Sequence, residues 1–223
     1  MAQIAPSMPK KDFSPTTKRI IDMFGHEVCD SATAADGNDF LLLSEDMGFR
    51  IWAAETFEIA TTWLQPVLIV ARDEGNLSVN DCCEAVNKLA LGGHTYISLD
   101  AECLMHQARK DNFIISNEMS CLLGKVGGSF ADLFTNSGVL SNFIDILWKE
   151  CSDELKVKKI TSEVFATFVK GRKEEQWQII GLILKQIRIK ERLVREHALD
   201  WLIGHSLGMP YFNRLLQMKG DKY

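Results

Sequence analysis

The segment Asp30-Ser31-Ala32-Thr33-Ala34-Ala35, a break at Asp36-Gly37-Asn38-Asp39, and then Phe40-Leu41-Leu42-Leu43-Ser44-Glu45-Asp46 decides how this chain is read. An acid opens a short helix of small residues and a polar turn follows. A run of leucines then makes a buried strand whose carboxyl end carries two more acids. Open α/β sheets build their sites at the carboxyl ends of strands, so Asp30 and Asp46 are candidates to converge on one side of a small sheet. Converging carboxylates hold divalent cations, and acids at such positions also serve as helix caps and turn formers.

Working outward, residues 1–15 carry Pro6, Pro9, Pro15 and Lys10-Lys11 and read as a flexible tail. A helix from Thr16 or Thr17 runs through Ile20, Ile21 and Phe24 to a capping Gly25, and His26 to Cys29 reads as a short strand. After Asp46, Phe49 to Ala54 reads as one or two helical turns and Phe57 to Ala60 as a second brief strand. The next helix takes Thr61 or Thr62 as cap, and another follows behind a Ser78/Asp81 capping box. Ser98 or Asp100 caps a third. From Asn112 the apolar spacing is helical throughout, over 117–125, 138–151, 161–170, 174–193, 196–207 and 210–218. The expected fold is mixed α/β and predominantly helical: a small parallel sheet within 16–111, packed against a helical region over 112–223.

Composition narrows the function classes. The chain has 223 residues, 46% hydrophobic and 25% charged, with net charge −5, an ordinary folded composition that argues against broad charge-driven binding to nucleic acid. No apolar run reaches membrane-spanning length and the N-terminus lacks the apolar core of a secretory signal, so a soluble cytoplasmic protein without membrane contact is expected. The six cysteines, at 29, 82, 83, 103, 121 and 151, lack the paired spacing of a zinc site and suit a reduced protein. No spacing rule joins His94 and His106 to Cys103.

Two motifs invite functions that the surrounding residues do not support. Gly204-His205-Ser206-Leu207-Gly208 fits the nucleophile elbow of lipases, but a helical pattern precedes it and no histidine follows. The glycines read instead as the end of a helix. Basic clusters at Lys156-Lys158-Lys159, Lys170-Arg172-Lys173 and Lys185 to Arg195 are interleaved with glutamates at helical spacing, as on a solvated, salt-bridged face.

The order of Asp30, the helix Ala32-Thr33-Ala34-Ala35, a turn, and Leu41-Leu42-Leu43-Ser44-Glu45-Asp46 resembles the later acidic motifs of PIN-domain ribonucleases. Val67 to Ser78 is similar to the last helix and join of such domains, and Gly93 to Asp100 resembles PIN-like domains carried at the ends of larger bacterial proteins. The resemblance spans roughly residues 26 to 110. It implies parallel strands near 26–29 and 40–44. It also implies Mg²⁺ or Mn²⁺ held by Asp30 and Asp46 as catalytic ligands, Ser44 and Glu45 in support, and hydrolysis of RNA phosphodiesters. The family's first aspartate-bearing strand has no counterpart before Asp30, so a truncated or degraded domain is expected, inactive alone and with an open sheet edge that a protein partner or a second copy covers. From a different class, the alternative is a non-enzymatic helical module for protein–protein interaction.

Overall fold

The computed structural model describes residues 15–35, 40–94, 97–128, 132–172 and 175–206. It is predominantly helical with one small parallel sheet, as the sequence predicts. The helix proposed at 210–218 and most of the N-terminal tail lie outside the described residues, although Pro15 belongs to the first helix. The chain divides into two compact units between Ser78 and Val79, not after residue 111. The reason is packing: the helices over 79–110 bury their apolar faces against the helices that follow them.

In the first unit, α1 (Pro15–Phe24) ends at Gly25, whose φ of +90° is the left-handed cap that favours glycine. α2 (His26–Ala35) follows at once, so the strand expected at 26–29 is helical, with the Cys29 amide donating to Gly25 O at 3.3 Å. β1 (Leu42–Leu43), α3 (Met47–Phe57) and β2 (Thr61–Thr62) form a β-α-β unit with β1 and β2 parallel, Leu42 opposite Thr61. The second strand thus falls after 57–60, because α3 runs on to Phe57 and Glu58 turns the chain at φ +53°. α4 (Leu64–Asp73) completes the unit. Ile21, Cys29, Ala32, Leu42, Phe49 and Trp52 lie in its core, where the Phe49 and Trp52 rings are 5.4 Å apart and Phe24 and Phe57 close around them.

The second unit contains α5 (Val79–Leu91), α6 (Ala101–Lys110), α7 (Asn117–Gly127), α8 (Leu133–Glu150), α9 (Glu154–Phe168), α10 (Gln176–Leu184) and α11 (Glu191–Ser206). Side-chain caps start several of these: Asp100 receives the Cys103 amide at 2.8 Å, Ser116 the Met119 amide at 3.0 Å and Asp153 the Leu155 amide at 3.1 Å. α8 lies at the centre, with Leu140, Phe143, Ile144 and Leu147 buried against α6, α7, α9 and α10. α7 meets α9 at Gly127, where a Cβ would stand 3.3 Å from the Phe168 backbone. The helix expected at 174–193 is two, because Asp145 of α8, 7% exposed, accepts the Arg188 amide at 3.1 Å and the Ile189 amide at 2.9 Å and fixes a bend between α10 and α11.

His197 of α11 locks onto α9, with Nε2 3.0 Å from Lys158 O and 3.1 Å from Ser162 Oγ and its ring against Phe165. Burial lowers its pKa below 6.5; the facing Lys158 charge adds to this, while the Lys158 carbonyl and Asp200 oppose it. The unfolded chain therefore takes up this proton at a higher pH than the folded one. Its contribution to stability is complete above pH 6.5 and is lost as the pH falls through the lower folded value. Urea midpoints measured from pH 7 to about 5 are expected to fall in the native chain and to flatten in His197→Gln.

Candidate functional site

Two of the acids that the sequence singles out, Glu45 and Asp46, follow the carboxyl end of β1, and local geometry explains what they do there. Leu42 and Ser44 donate their amides to Ala60 and Thr62 O, both at 3.0 Å, so the chain leaves the sheet directly into Glu45 and Asp46. The Asp46 carboxylate then accepts the Phe49 amide at 2.8 Å as the N-cap of α3, and Ser44 Oγ accepts the Asp46 amide at 3.2 Å. Glu45 Oε1 accepts the Leu64 amide at 2.8 Å, capping α4 across the sheet where Trp63 offers no side-chain bond. Arg50, 9% exposed, donates to Ser44 O at 3.0 Å and stacks 4.6 Å from the Trp63 ring centroid. Three helix and strand ends are tied together by one serine, two acids and one arginine.

Asp30 stands apart from this joint in the chain, in the middle of α2, half-buried, with Thr33 Oγ1 donating to its carbonyl at 3.0 Å. Asp30, Glu45 and Asp46 do not bring three donor atoms within 4.8 Å of one another. The group of three that does so among the described residues is Cys83, Asp100 and Cys103. Their spacing escapes sequence rules because α5 and α6 pair in space. The one local signal is Asp100 three residues before Cys103, which reads as a cap. Hydrogen bonding with Cys83, and then burial, push the Cys103 thiol well above its usual range. His106 joins none of this: it bonds Glu84 at 3.0 Å, and with Lys110 holds that carboxyl down to about 2.

The other motifs resolve structurally. Gly204 to Ser206 are the last turn of α11, not a turn after a strand, and the His205 ring stacks on Trp201 at 4.0 Å; Leu207 and Gly208 lie outside the described residues. Two of the basic stretches carry counterions of their own, with Lys158 bonded to Glu154 at 2.6 Å, Arg195 to Glu191 at 2.8 Å and Arg192 to Glu196 at 2.9 Å. Among the described residues, no helix is long and apolar enough to cross a membrane.

The first unit also leaves an apolar edge. Because Leu42 and Ser44 face β2, strand alternation turns the Leu41 and Leu43 amides to the opposite edge of β1, which pairs with no strand among the described residues. Leu41 and Leu43 are 55% and 53% exposed, and Met47 and Ile51, one turn apart on α3, are exposed beside them in sequence.

Comparisons with protein-family models, with curated proteins and with solved structures find no match for this chain.

Proposed function

We propose that this chain is a non-enzymatic interaction module whose first unit accepts an extended segment of another polypeptide along the outer edge of β1. The observation that carries the reading is that, among the described residues, no strand pairs with the outer edge of β1, beside the exposed Leu41 and Leu43. Parallel sheets are normally covered on both faces, and a strand edge whose amides pair with no other strand, beside exposed leucines, is a template for strand addition. The acids support the same reading, because Glu45 and Asp46 are engaged in capping α4 and α3. Site-specific photo-crosslinking tests it. A benzophenone side chain at 41 or 43 gives a discrete adduct in cells, of twice the chain mass if the partner is a second copy. The same probe at Leu155, 81% exposed in the second unit, does not. Absence of adducts at 41 and 43, or identical adducts at all three positions, overturns the proposal.

A second reading, a PIN-like ribonuclease site at Asp30 and Asp46 assisted by Ser44 and Glu45 and using Mg²⁺ or Mn²⁺, is favoured by one observation: the parallel β1-α3-β2 unit places two acids at a strand's carboxyl end. Calorimetric Mn²⁺ binding that both Asp30→Asn and Asp46→Asn abolish is its expected result, and no binding by the native chain removes it. The comparison is clean because asparagine also caps helices. Asp46→Asn is expected to leave stability nearly unchanged, whereas Asp46→Ala, which leaves the Phe49 amide uncapped, is expected to cost about 1 kcal/mol in urea unfolding.

A further inference from the structure

α5 and α6 pack together with Cys83 and Cys103, 3% and 4% exposed, on their facing sides, and the exposed Asp100 at the start of α6 completes the group. One donor atom of each lies within 4.8 Å of the other two. A second observation concerns the same pair of helices. Asn87, one helical turn beyond Cys83 and 2% exposed, donates to Cys103 O at 2.9 Å and leaves its buried Oδ1 without a hydrogen-bond partner among the described residues. An orphaned buried oxygen costs free energy unless something else binds it.

We propose that Cys83, Cys103 and Asp100 form a Zn²⁺ site, with two thiolates and one carboxylate as ligands. The fourth tetrahedral position falls to Asn87 Oδ1 or to a water. Donors around a tetrahedral zinc stand roughly 3.5 Å apart and these lie within 4.8 Å of one another, so the group needs a contraction of no more than about 1.3 Å, within the reach of side-chain rotation. Each Zn–S bond forms as its thiol proton passes to solvent, so one ion releases two protons. The thiolates select zinc over the hard cations suited to an all-carboxylate site. The exposed Asp100 gives the ion a route from solvent. The site lies in the second unit and does not depend on the reading of the β1 edge.

Cobalt substitution tests it on the reduced full chain, with Cys121 changed to Ser throughout to remove the exposed thiol. The expected result is one Co²⁺ per chain with sulfur-to-cobalt charge-transfer absorption, displaced by Zn²⁺ and lost in Cys83→Ala and in Cys103→Ala. Asp100→Asn keeps the cap of α6 and is expected to weaken Co²⁺ at least tenfold with thermal unfolding unchanged. No charge-transfer band in the parent chain, or a band that persists in folded cysteine variants, overturns the proposal. Should the cysteine variants fail to fold, unchanged Co²⁺ affinity in Asp100→Asn overturns it alone.

Discussion

Asp145→Ala is expected to destabilise the chain by about 3 kcal/mol, seen as a lower urea midpoint with an unchanged slope. The effect comes from what the carboxylate leaves behind. Asp145 is 7% exposed and its two oxygens take the amides of Arg188 and Ile189, which hold the bend between α10 and α11. Alanine removes both acceptors at once from a part-buried site and leaves the two amides that hold the bend without their partner. Asp145→Asn keeps one oxygen acceptor and is expected to cost less than half as much. Equal losses in the two variants would mean that the negative charge, not the amide pairing, is what matters there.

Phe165→Ala is expected to cost about 4 kcal/mol, among the largest single losses available in this fold. The ring is fully buried on α9, edge-on to Trp201 at 5.6 Å between centroids and stacked on His197 at 6.4 Å. Removing it opens a cavity between α9 and α11 that close-packed helices do not fill. Phe134→Ala, at 78% exposure on α8, is the matched control and is expected to change stability by less than about 0.5 kcal/mol. Chemical denaturation of both variants checks the pair.

Much of this fold can be read from spacing alone, because most of the helices form by burying one apolar stripe. Phe143 and Leu147 on α8, and Ile180 and Ile187 around α10, are buried as their spacing demands. The leucine strand and the Gly25 cap follow from local chemistry in the same way. The errors occur where a distant group decides. His26 to Cys29 suit a strand, but the positive-φ glycine directly before them, Gly25, is followed at once by a new helix. The apolar pattern of 174–193 continues through residues that Asp145 pulls out of the helix from more than forty positions away. Of the candidate site, the sequence locates Glu45 and Asp46 at the end of β1, while their bonds to the Leu64 and Phe49 amides come only from the folded arrangement. Cys83 and Cys103 were legible only as buried thiols, since nothing within either helix records that the other lies alongside.

The bond from Glu45 to the Leu64 amide has a kinetic corollary. A ten-residue helix is marginal in water by itself, and the acceptor that starts α4 sits nineteen positions earlier, on the far side of α3 and β2. That carboxylate reaches Leu64 only after the two strands have come into register, so the first turn of α4 is expected to form after the sheet and to open before it. In hydrogen exchange its opening turn would trade protons through small local fluctuations while the amides of Leu42 and Ser44 wait for the sheet to separate.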